Sequence, residues 1–130
     1  MTELGFQSKL TLSYEATLQK VTDALKAEGF GVLTSIDVKD TIKKKLNTEF
    51  RKYTILGACN PSLSHKALLA RPDVGLLLPC NVIVYEEGET TVVNIIDPLS
   101  MTNFIQDSTL DDVADEARKR LKRVSEAIQS

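Results

Sequence analysis

The chain has 130 residues, 42% of them apolar and 26% charged, a length and balance that suit a single domain, residues 1–130, with one core burying roughly two-thirds of the unfolded surface. With 16 basic and 18 acidic side chains the formal charge is only −2, so no broad positive field exists to hold a nucleic acid or an anionic membrane. Met1-Thr2-Glu3-Leu4-Gly5 has neither a basic nor a following apolar signal region, and the longest uncharged stretch, Val74 to Tyr85, falls short of the ~20 residues of a membrane helix, so a cytoplasmic location is expected.

Phe6, Leu10 and Leu12 alternate with Gln7, Lys9 and Thr11, the period of a half-buried strand. Ser13 suits a helix cap, and from Tyr14 the apolar residues Leu18, Val21 and Leu25 recur at helical spacing until Glu28-Gly29 supplies a stop. A second strand is predicted through Val38, with Val32, Thr34, Ile36 and Val38 on one face and Leu33, Ser35 and Asp37 on the other. Ile42, Leu46 and Phe50 then predict a short amphipathic helix whose outer face carries Lys43, Lys44 and Lys45.

A third strand, Lys52 to Cys59, ends at Asn60-Pro61, and an Asn cap followed by Pro at the first helical position predicts a helix from Pro61 to about Ala70 that breaks before Pro72. Val82 to Glu86 and Thr91 to Ile96, joined by Glu87-Gly88-Glu89, read as a hairpin ended by Asp97-Pro98. The last helix begins near Ser108-Thr109, with Asp111 and Asp112 at its positive end and a seam of Leu110, Val113, Ala117, Leu121, Val124 and Ile128. The order predicts an α+β fold of two layers, a sheet of about five strands with helices packed on one face.

Cys-Asn occurs twice, in Gly57-Ala58-Cys59-Asn60-Pro61 and in Leu78-Pro79-Cys80-Asn81, and these hold the chain's two cysteines. Together with Tyr53-Thr54-Ile55-Leu56, His65-Lys66-Ala67-Leu68, Val74-Gly75-Leu76-Leu77 and Val82-Ile83-Val84-Tyr85-Glu86, these segments resemble the centre of the family called domain of unknown function 302, and Asp97-Pro98…Met101 is similar too. The resemblance implies a small α+β domain that forms a homodimer in bacteria and archaea, and implies no activity. It also carries a pointer to haem or redox proteins. His65 is the single histidine and no haem attachment motif is present, so bis-histidine ligation within one chain is impossible and no cofactor is assigned.

The residues themselves offer several chemistries. Cys59, just before a capped helix, is placed for a lowered thiol pKa, and Cys80 would be its resolving partner if the strand ends meet; against this, cysteine is commonly a small apolar filler. Cys59, Cys80 and His65, with Asp97, make an incomplete metal set at no recognised spacing, so no metal is assigned. His65 lies on a polar stretch without an adjacent orienting carboxylate. Asn60 and Asn81 suit a cap and local backbone bonds, or a polar pocket beside the thiols. Tyr53 and Tyr85 read as core or interface aromatics, and Gly57, Gly75 and Gly88 match no nucleotide motif.

No reaction is named by these residues, and whether the chain is an enzyme stays open. The favoured function is a homodimeric module that binds a small molecule or partner at a site drawn from Cys59, Asn60, His65, Cys80 and Asn81, in which Cys59 is buried with a raised pKa. The alternative is a thiol-dependent redox or detoxification enzyme using Cys59 and Cys80. The homodimer is expected because the β-branched face of the Val82 to Ile96 hairpin and the seam of the final helix offer more apolar surface than one small sheet covers.

Overall fold

A computed structural model of the chain describes residues 2–103 and 105–129, without the side chain of Met101. Of the residues named above, Met1 lies outside the described set, as does the side chain of Met101. The strands are β1 (Gly5–Leu10), β2 (Gly31–Asp37), β3 (Tyr53–Cys59), β4 (Cys80–Glu87) and β5 (Thr90–Ile96); the helices are α1 (Tyr14–Ala27), α2 (Val38–Leu46), α3 (Pro61–Ala70), α4 (Pro98–Thr102) and α5 (Ser108–Ile128), with a 3-10 helix at Pro72–Leu77. All five strands form one sheet in the order β1-β5-β4-β3-β2, and every neighbouring pair is antiparallel. The two-layer α+β architecture is as the sequence predicts.

Helices α1 and α5 cover one face of this sheet. Ser13 caps α1 by accepting from the backbone N–H of Ala16 at 3.1 Å, and the residues α1 buries, Tyr14, Thr17, Val21 and Leu25, keep the three-to-four spacing of a single stripe. Asp107 caps α5 through the N–H groups of Thr109 and Leu110, and its buried stripe runs Leu110, Ala114, Ala117, Leu121, Val124, Ser125 and Ile128. Both stripes pack on Phe6, Leu10, Leu56, Val82, Val84, Val93 and Ile95, which the strand register places on one side of the sheet.

The corner after β5 is tied to α5 by Asp97. This buried carboxylate accepts from the N–H of Leu99 at 3.0 Å and from Nε of Arg118 at 3.1 Å, while the Arg118 guanidinium lies over the Phe6 ring. Pairing the charge and capping α4 with it offsets the cost of burying it.

Several expectations are corrected. A bulge between Val32 and Thr34 shifts the β2 register, so Val32 sits opposite Ala58 on the helix side while Thr34 and Ile36 sit opposite Gly57 and Ile55 on the outer side; they do not share a face. β2 ends at Asp37, which caps α2 through the N–H of Asp40, so Val38 is helical. Phe50 lies beyond α2, which closes at Asn47 in a left-handed conformation (φ 52°). Leu12 lies past β1 and is exposed. Leu121 and Val124 of the α5 seam and the inward Val82, Val84, Val93 and Ile95 of the hairpin are at 0% exposure and offer no surface to a second copy, while Leu110 packs with Ala67 and Val74, and Val113 is half-buried.

Candidate functional site

The two Cys-Asn segments do meet. Ala58 pairs with Cys80 and Gly57 with Asn81, so the end of β3 lies against the start of β4. Strand alternation then separates the thiols: Cys80 shares the helix side with Ala58, and Cys59 falls on the outer side with Gly57 and Asn81. This close approach depends on Gly57, because a Cβ there would stand 2.7 Å from Cγ of Pro79 and 2.1 Å from Oγ1 of Thr34.

Each predicted site residue has a definite place. Asn60 is buried and caps α3, its Oδ1 accepting from the N–H of Leu63 at 3.2 Å. Cys59 is half-buried, with Sγ 3.1 Å from Oγ of Ser64 in the first turn of α3. His65, the next residue, is exposed on α3. Cys80 is buried, and Asn81 is exposed on the outer face. The five therefore do not converge on one point.

Asn81 alone among them opens onto a hollow. A 190 Å³ cup on the outer face is lined by Thr2, Leu4, Asn81, Ile83, Asn94 and Ile96, and a 240 Å³ hollow lined by Leu76, Leu77, Leu78, Pro79, Asn81 and Ile96 adjoins it through the two shared residues. The result is an aliphatic trough with Asn81 and Asn94 among its lining residues. Further along the face Tyr53 and Tyr85, partners in register, stack with centroids 5.2 Å apart at 8°, and Phe50 leans on Tyr53 at 6.1 Å. A larger hollow of 580 Å³ lies beside β1, away from both Cys-Asn segments. Its lining is mostly polar, with Gln7, Lys9, Thr11, Lys20 and Gln129, the last donating to Ser8 at 2.8 Å, which makes it the weaker candidate for an apolar ligand.

The model of the family Domain of unknown function DUF302 matches residues 6–128. The chain belongs to the DUF302 family. The crystal structure of the uncharacterized conserved protein DUF302 from Bacillus stearothermophilus is similar to it with a TM-score of 0.88 and 28% sequence identity, over 97% of this chain and 98% of that one. No curated protein matches the chain.

In this DUF302 domain the thiols differ in chemistry. Burial, with a smaller contribution from the charge of Cys59, pushes the Cys80 thiol up to about 11, so at neutral pH it is almost wholly protonated and a poor nucleophile. The expectation of a buried Cys59 is corrected: it is half-buried, and the buried thiol is Cys80. Among the described residues no three His, Cys, Asp or Glu side chains gather as a metal site requires. No described helix is long and apolar enough to cross a membrane. The sequence reading passed over Asn94, Ile96 and Leu4. The outward phase of the β5 alternation carried a signal for the first two, since Asn94 and Ile96 flank the inward Ile95. Leu4, in the segment before β1, gave none.

Proposed function

We propose that this DUF302 domain is a non-enzymatic binding module, assembled as a homodimer, that takes a small, largely apolar ligand bearing one hydrogen-bonding group into the trough around Asn81 and Asn94. The observation that carries this reading is the trough itself: a mainly aliphatic concavity with Asn81 and Asn94 in its lining has the composition of small-molecule sites in general. Carboxamides both donate and accept, so they suit an amide, alcohol or carbonyl end of such a ligand better than a fully charged one. Native mass spectrometry of protein purified without added metal or haem reads subunit number and retained ligand together. A retained small molecule that is lost in Asn94→Ala and Ile96→Lys variants of unchanged fold is the expected result. Protein that carries nothing, and whose variants bind an apolar dye as the parent does, would remove the ligand reading.

The thiol-dependent alternative has less support. The protonated state of Cys80 and the position of Cys59 on the opposite side of the sheet both count against a resolving pair.

A further inference from the structure

We infer that a second copy of this chain covers the outer face of the sheet, centred on Ile55, Ile83, Tyr53 and Tyr85. This deepens the homodimer part of the reading above by naming the surface. Three observations lead to it.

The first is an excess of surface. A compact monomer of 14.4 kDa exposes about 6,800 Å², whereas this chain exposes 7645 Å². The chain is therefore more open than a compact monomer of its mass. Part of the excess lies where the chain fails to cover itself: α2 has no buried residue, and Leu33, Ile36, Leu46 and Phe50 are exposed.

The second is the layout of the face. The register sets Ile36, Ile55, Ile83 and Asn94 in one row and Tyr53 and Tyr85 in the next, beside a Val92 that the chain itself already covers, so a small aliphatic and aromatic centre lies across β2, β3 and β4. Around it stand Gln7, Lys9, Arg51, Asn81, Glu87 and Thr34. An apolar centre rich in tyrosine with a polar rim is the anatomy of a protein interface rather than of a solvated sheet.

The third is charge. The rim holds both signs, with Lys9 paired to Glu87 at 3.5 Å, and the whole chain carries only −2. A strongly charged partner finds nothing complementary here, while a copy of the same face meets no repulsion. A face that accepts its own image about a two-fold axis gives a closed dimer.

Sedimentation velocity at tens of micromolar tests this, using Tyr85→Arg and Ile55→Arg, neither of which lines the trough, and Lys119→Glu on the exposed side of α5 as control. The expected result is a dimer for the parent and for Lys119→Glu, with dimer affinity weakened roughly a hundredfold in each arginine variant while far-ultraviolet circular dichroism is unchanged. Should an arginine variant fail to fold, Tyr85→Ser and Ile55→Thr give the same readout with a smaller drop. A parent that stays monomeric overturns this inference and the homodimer reading together. A parent dimer that persists in every folded face variant overturns only the surface named here.

Discussion

Along β4, Val82 and Val84 have no exposed surface, while Ile83 and Tyr85, which alternate with them, are only half-buried. The residue types on the two sides are similar in apolarity, so the difference lies in what covers them. Helices α1 and α5 each bring a stripe of buried residues to the inner side, whereas among the described residues α2 buries none. The outer side is apolar over Ile36, Ile55, Ile83, Tyr53 and Tyr85 and polar around them, and it lacks a stripe of buried helical residues like those of α1 and α5. In an antiparallel sheet one solvated face normally reads as polar alternation, and this one departs from that pattern between β2 and β5.

The sharpest way to break the comparison is a charge on the inner side. Val82→Asp or Leu121→Asp puts an unpaired carboxylate where exposure is 0% and is expected to cost about 4 kcal/mol or more, enough to unfold much of the population in a urea melt. A tolerant inner face would mean that the register described here is wrong. Gly57→Ala, where the sheet meets Pro79, should cost about 2 kcal/mol, because the proline ring cannot turn aside as a flexible side chain would. An unchanged midpoint would show that the β3–β4 contact is looser than its geometry implies.

A similar effect is expected from alkaline pH at Cys80. The folded-state value is raised, so the folded chain holds a proton that the unfolded chain gives up. Stability is intact below pH 9 and falls by roughly 2 kcal/mol as pH rises to about 11, a loss that Cys80→Ala should remove from the pH profile. A parallel profile in the two proteins would show a solvated thiol. A smaller effect than on the inner side is expected for Ile83→Asp. In dilute protein, where no second copy shields the outer side, it should cost about 1–2 kcal/mol, well short of the loss at its neighbour Val82. Asn60→Ala, which deletes the α3 cap, should cost about 1 kcal/mol and leave both faces intact, as thermal melts would show.

Much of the fold is legible in the sequence because its signals are local. The Asn60-Pro61 start, the break before Pro72, the Ser13 cap and the α5 stripe follow from capping chemistry and helical period, and α3 runs over the residues predicted. The β2 phase was not legible, since a bulge inserts one residue without any compositional mark and reverses every assignment beyond it. The 3-10 helix and α4 were missed for a related reason: short turns after Pro72 and Pro98 lack the length for a period to show. At the candidate site, the sequence left open whether the Cys-Asn segments meet, since that rests on β3 pairing with β4, and also which thiol would be buried. The latter depends on whether Ala58 or Cys59 pairs with Cys80, a choice of a single residue in register.

The place of β1 has a consequence for how the chain is made. β2 through β5 form a meander in which each strand pairs with the next to be synthesised, whereas Phe6 must wait for Ile95, and Ser8 for Ser125 and Gln129. The first strand and α1 therefore emerge from the ribosome with their apolar stripe uncovered, and stay so until the hairpin and α5 have followed. Such long-range closure slows folding and lengthens the interval in which a nascent chain is open to chaperones or to misassociation. The segment from Gly5 to Ala27 is the place to expect chaperone contact during synthesis.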